Sequence, residues 1–373
     1  MHIQDEGGMT MYKKMGWIIC VLLLAVSAGA CGKQEPARTA VETAAPAETE
    51  SAAQQETSLA VQEEEETEVF PEGQMRSYLT GEMISAEIGK KRPYAIMINN
   101  ISESLPQSGI SQAEVIYEAK VEGGITRLMA LFQDSEQVKK IGSIRSARHY
   151  YIDFAKEYEA IYVHFGQSKF AKARIEEDKL KTISGLSTYG GKIFYRSKDR
   201  VAPHNVYTSG ELLEGGLSYA KVTRDYPDGY KNRFKYNEQD TAPAGGEDAL
   251  RVDIPFDSKP YFTYDEASSQ YLRFQYGNKH IDRENDQQLA FKNIIVQYVE
   301  EKKISKEDHQ DLKLVGKGSG YYITDGKAVK IKWKKAGENN PTVYYDEDDN
   351  EIKLNPGKTF FEMVPDDTQI TIS

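Results

Sequence analysis

Arg145, Arg148 and His149 bring two guanidiniums and an imidazole to the point where a predicted strand meets a predicted helix. The free N–H groups and positive dipole end of a helix start favour an anion, and guanidiniums add paired donors. The grouping therefore suits a phosphate, pyrophosphate or carboxylate. Arg127 sits on a neighbouring strand, and Arg200 lies with Arg196, Lys198 and His204 in a loop placed to close over the site. The competing reading is structural: Arg145 and Arg148 pair with Glu118 and Glu122 as ion pairs, since such networks mimic functional sites. A reaction would need a base. His149, His164 and His204 are the candidates, with Glu118 and Glu122 as carboxylates and Ser146 and Ser168 as hydroxyls. No HExxH, GxSxG or P-loop spacing occurs, and neither a metal site nor a cofactor motif is read.

These side chains need elements to hold them. Gly123-Gly124 between two apolar runs is a two-residue hairpin signal. In that register Lys120 faces Arg127, and Glu118 and Glu122 flank Arg127 diagonally, giving a Glu–Arg–Glu cluster. Residues 92–100 read as a buried strand and 138–144 as another. Residues 146–158 read as a helix, 160–165 as a strand, and 169–180 as a helix with Ser168 as its N-cap. If 138–144 and 160–165 are parallel neighbours, His164 shares a rim with Arg145. After a turn-rich passage ending at Gly246, short strands with turn signals fill 250–373 and predict a small barrel or sandwich. The fold class is α+β: a mixed-sheet α/β domain over 78–245, then a β-rich domain over 246–373. The acidic turn at 346–350 lacks EF-hand spacing and reads as a solvated hairpin. The 24 tyrosines suit half-buried strands, with a glycan-binding surface as the second reading.

Composition narrows the class. Residues 33–75 carry eleven Glu against Lys33 and Arg38, and this accounts for most of the net charge of −11. The remainder is close to neutral, which argues against a broad nucleic-acid surface. Residues 32–77 are too polar to fold and read as a disordered tether. Ahead of them, Lys13 and Lys14 precede an apolar run from Trp17 to Val26, and small residues lead into Cys31. This is a signal-peptide pattern over 1–31. Ala28-Gly29-Ala30-Cys31 resembles a bacterial lipobox, with Ala28 where Leu is usual, which makes Cys31 the expected lipidation site. The only other cysteine, Cys20, leaves with the signal, so no thiol chemistry remains.

Several runs together resemble the YerB-like lipoproteins, a bacterial family defined by a domain of unknown function. They are residues 92–100, Pro106–Glu114, Tyr117-Glu118, Glu122–Arg127, Ile141–Arg148, Pro203-His204-Asn205 and Asn355–Thr359. The resemblance spans about 90–370 and implies an extracytoplasmic lipoprotein with an N-terminal α/β domain and a β-rich C-terminal one. It carries no substrate. The sequence thus leads to a protein held on the outer face of the cell membrane by its N-terminal lipid. Its role there is binding an anionic cell-wall polymer or envelope protein. The alternative is a hydrolase or phosphotransferase acting on a wall precursor or polymer.

Overall fold

The computed structural model of the chain describes residues 70–373. The expected signal, Cys31 and the tether up to residue 69 lie outside the described residues. The first strand among the described residues, Gln74–Arg76, pairs antiparallel with Met83–Ser85 and lies four residues ahead of the expected Tyr78.

The architecture is α+β, built on one large mixed sheet. Its N-terminal half holds Tyr94–Asn99, Val115–Lys120, Thr126–Phe132 and Ile161–His164. These strands are buried on both faces because both faces are covered. Asn293–Val299, Gly316–Thr324, Lys327–Lys335 and Thr359–Pro365 supply the other half. The halves join where Thr359–Pro365 runs parallel to Val115–Lys120, with Glu362 opposite Glu118. The expected boundary near 245 therefore does not separate two sheets.

On one face, helices His149–Lys156 and Lys169–Glu177 pack over the N-terminal strands. Tyr150, Tyr151, Phe154 and Tyr158 bury their rings there. Ser168 caps the second helix, accepting from the Ala171 N–H at 3.1 Å. On the other face, the C-terminal half forms a sandwich with a smaller sheet built from Arg251–Asp253, Tyr261–Asp265 and Gln270–Gln275. Phe262 and Phe291 meet Phe360 edge-on, with centroids 5.3 and 4.9 Å away. Many tyrosines are core residues rather than a surface. The acidic turn is a hairpin turn, in which Asp346 accepts from the backbone N–H groups of Asp348 and Asn350.

The predicted strand over 138–144 shrinks to Ile141–Gly142 and pairs with Val206–Thr208 in a separate three-stranded sheet. Ile161–His164 instead runs parallel to Tyr94–Asn99. The premise that placed His164 beside Arg145 as a strand neighbour is thus corrected.

Candidate arginine site

The hairpin that carries Arg127 turns through three residues, Glu122–Gly124, not two. Val121 N–H bonds Ile125 O at 2.9 Å, and both glycines take positive φ, 61° and 77°. The extra loop residue slips the register by one, so Arg127 faces Ala119 and Glu118 faces Leu128. A one-residue slip sends side chains to opposite faces. Glu118 therefore leaves Arg127 for the sandwich side, and the expected Glu–Arg–Glu cluster does not form. Glu122, in the loop itself, stays with the arginines.

Three guanidiniums gather around Glu122. Arg148 grips it through both oxygens, with Nε at 2.8 Å from Oε2 and Nη2 on Oε1. Arg127 Nη2 lies 3.7 Å from the same Oε1. Burial alone would push the Glu122 carboxyl up; the Arg148 hydrogen bonds and the two positive charges hold it below its ordinary range. Arg127 is almost fully buried and its pKa falls to about 10, through desolvation and the charge on Arg148. Its Nη1 donates to Ser146 O at 2.9 Å, while its Nε has no partner. Arg145, half-buried, makes no ion pair among the described residues. Its Nη1 donates to Pro203 O at 3.2 Å and its buried Nε is unpartnered. Desolvation and the neighbouring Arg148 charge lower its pKa.

The remaining candidates separate. His204 follows the Pro203 carbonyl that holds Arg145. Its Nδ1 lies 2.8 Å from Asn99 Nδ2, which fixes Nδ1 as the acceptor and leaves the proton of the neutral ring on Nε2. Desolvation and Arg145 hold its pKa down. Arg200 spends both terminal nitrogens on the carbonyls of Glu103 and Pro106, at 2.7 Å each, and so braces its loop. His149 turns to the C-terminal hairpin, with Nε2 2.8 Å from Asp311 Oδ1. His164 is fully buried. Gly166 O and Thr182 Oγ1 engage its two ring nitrogens, and burial depresses its pKa to about 4. It is a core histidine. Among the described residues no group of His, Cys, Asp or Glu converges as a metal site would require.

Sequence reasoning passed over a second charged cluster, buried between the two sheets. Arg273 Nη2 bonds Glu118 Oε2, and Glu362 lies 4.0 Å from the same nitrogen; all three are fully buried. Glu118 also accepts from Asn100 Nδ2 at 2.8 Å and from Thr126 Oγ1. Arg273 Nη1 donates to His280 Nδ1 at 2.6 Å, and His280 Nε2 donates to Gln107 Oε1 at 2.7 Å. Burial and the Arg273 charge keep His280 neutral. The signal was present in the sequence. Alternation along Tyr271-Leu272-Arg273-Phe274 puts an arginine on the inward face, and Glu362 interrupts Phe360-Phe361-Glu362-Met363-Val364.

Residues 79–223 match the N-terminal domain model described as a protein of unknown function (DUF3048), and residues 252–361 match the C-terminal domain model of the same family. A protein of Bacillus subtilis (strain 168), YerB, which its name provisionally calls a lipoprotein, is 30% identical over 295 residues. The alignment covers 77% of this chain and 85% of that one. The crystal structure of Bacillus subtilis YerB superposes with a TM-score of 0.70 at 27% identity, covering 80% of this chain and 99% of that one. The α+β architecture is therefore shared, and this chain belongs to the YerB-like, DUF3048 family.

Proposed function

We propose that the chain is a lipid-anchored extracytoplasmic protein that binds a phosphate-bearing ligand of the cell envelope, a wall polymer or its precursor, at Arg145. The signal pattern ending in Cys31 supports the anchor, and so does the lipoprotein name of the Bacillus subtilis relative. The observation that carries the binding reading is the charge balance: Arg127 and Arg148 share the carboxylate of Glu122, and Arg145 beside them has no ion pair among the described residues. A phosphate would supply the missing negative charge through charge-assisted hydrogen bonds. His204 fits this role better than proton abstraction. Its Nδ1 is occupied by the Asn99 amide, and the Nε2 proton makes that nitrogen a donor. The hydrolase or phosphotransferase alternative would have to use His149, held by Asp311, as its base.

The test is a calorimetric titration with inorganic pyrophosphate and with a soluble glycerol-phosphate oligomer. Arg145→Gln should weaken binding by about 1.5–3 kcal/mol, at least tenfold. It should leave the melting temperature nearly unchanged, because no carboxylate is orphaned. Absence of wild-type binding to both probes would refute the site.

A further inference from the structure

The run Asn355-Pro356-Gly357-Lys358-Thr359 is largely explained by the fold. Asn355 is a buried hub: its Nδ2 donates to Thr241 O, Thr324 Oγ1 and Asp325 Oδ2, and its Oδ1 accepts from Asn237 and Thr241. Gly357, at φ 138°, lies against the Lys292 side chain, where a Cβ would come within 2.6 Å. Thr359 Oγ1 accepts from Asn293. Lys358 has no such explanation. It lines a cavity of about 400 Å³ together with Ser111, Gln270, Gln287 and Gln288. That volume lies in the range of small-molecule sites.

The Lys358 ammonium donates to Ser111 O and makes no ion pair among the described residues. Of the acidic groups near it, Glu82 is exposed and closes no ion pair on it, and Asp282 and Glu114 are committed elsewhere. Asp282 accepts from the N–H groups of Gly109, Ser111 and Glu284 and from Ser111 Oγ. Glu114 accepts from the Gln133 and Asp134 N–H groups. A half-buried cation on a cavity wall, with no carboxylate of the chain closed on it, is a ready partner for an anion from outside. The rest of the wall is amide. Gln270 and Gln287 each offer one donor pair and one acceptor, and Gln288, whose Nε2 is bound to Arg273 O, keeps its acceptor oxygen. That set complements the N–H and C=O of peptide groups.

We propose that this cavity binds a small carboxylate whose body carries amide groups, such as a short peptide with a free C-terminus. The carboxylate sits on Lys358 and the glutamines meet the amides. The site is separate from the arginine cluster and does not depend on it.

The experiment is calorimetry on the full chain with N-acetylglycylglycine and with its C-terminal carboxamide. The acid should bind saturably, and the carboxamide at least tenfold more weakly. Lys358→Met should abolish acid binding, with Lys358→Arg retaining it. Because Lys358 also holds the Ser111 carbonyl, Gln287→Glu provides the variant that leaves folding alone: Gln287 is exposed, and a negative charge there should weaken the acid at least tenfold. No saturable binding of the acid, equal binding of the carboxamide, or undiminished binding by Gln287→Glu would each overturn the assignment.

Discussion

Replacing Glu118 with Gln should expose how the buried Arg273 is neutralised. In the folded protein one guanidinium faces two carboxyls, all fully buried. Burial, then the like charge of Glu118, raises the Glu362 pKa well above its ordinary value, with Arg273 opposing. Glu362 therefore holds a proton beside the Arg273–Glu118 ion pair, and the trio is neutral. Glu118→Gln removes the anion, and breaking a buried pair costs about 3–5 kcal/mol. It also removes the like charge that kept Glu362 protonated. Glu362 can then ionise and partner Arg273 from 4.0 Å, which returns part of the loss. Glu118→Gln with Glu362→Gln leaves no anion and should lose the full amount. With an unfolding entropy of about 0.6 kcal/mol/K for a chain of roughly 300 residues, 3–5 kcal/mol corresponds to a fall of about 5–8 °C in melting temperature. The single variant should fall by less. The pH dependence follows the same balance. Glu362 binds its proton more tightly folded than unfolded, so its contribution to wild-type stability declines as pH rises above the unfolded carboxyl value of 4.5. In Glu118→Gln that decline should shrink. Scanning calorimetry of the three proteins from pH 4 to 8 measures both effects. A single variant as unstable as the double, or a double variant as stable as wild type at pH 7, would refute the reasoning.

Cys31→Ala should release the protein from membranes into the soluble fraction, and unchanged membrane retention on fractionation would remove the lipid anchor from the proposal. His164 is neutral when folded down to pH about 4 but protonates near 6.5 when unfolded, so its contribution to stability is lost as pH falls through that window. The loss reaches about 3 kcal/mol at 1.36 kcal/mol per unit, and in His164→Gln melting curves the corresponding acid-side slope should disappear. Glu114 behaves in the opposite sense. Burial, against the Gln133 and Asp134 N–H bonds, raises its pKa to about 7, so it loses stability as pH rises from 4.5 to 7. Relative to wild type, Glu114→Gln should gain stability across that interval and show no gain at pH 4 in the same measurement.

Local chemistry made the arginine grouping legible from the sequence, because Arg145 and Arg148 stand beside one another at a helix start and need no distant partner to be noticed. Family membership was likewise legible in runs such as Pro106–Glu114 and Ile141–Arg148. The α+β class followed from alternating apolar periods, which report burial within a single segment. Tertiary structure decided the partners. Gly123-Gly124 announced a hairpin, but only the assembled sheet set a three-residue loop, and that one-residue slip carried Glu118 from Arg127 to Arg273, which lies 155 positions later in the chain. Side-chain alternation marks which residues share a face and says nothing of what covers it. Arg273, His280 and Gln107 therefore became one network only when the smaller sheet closed over Glu118 and Glu362. His164 was a plausible base as a strand-end residue, and tertiary packing made it a core residue whose ring nitrogens meet Gly166 O and Thr182 Oγ1. Sequence pattern determined which residues are charged, apolar or turn-forming; long-range packing, which has no local signature, determined which charges lost their water and therefore which of them must be paired.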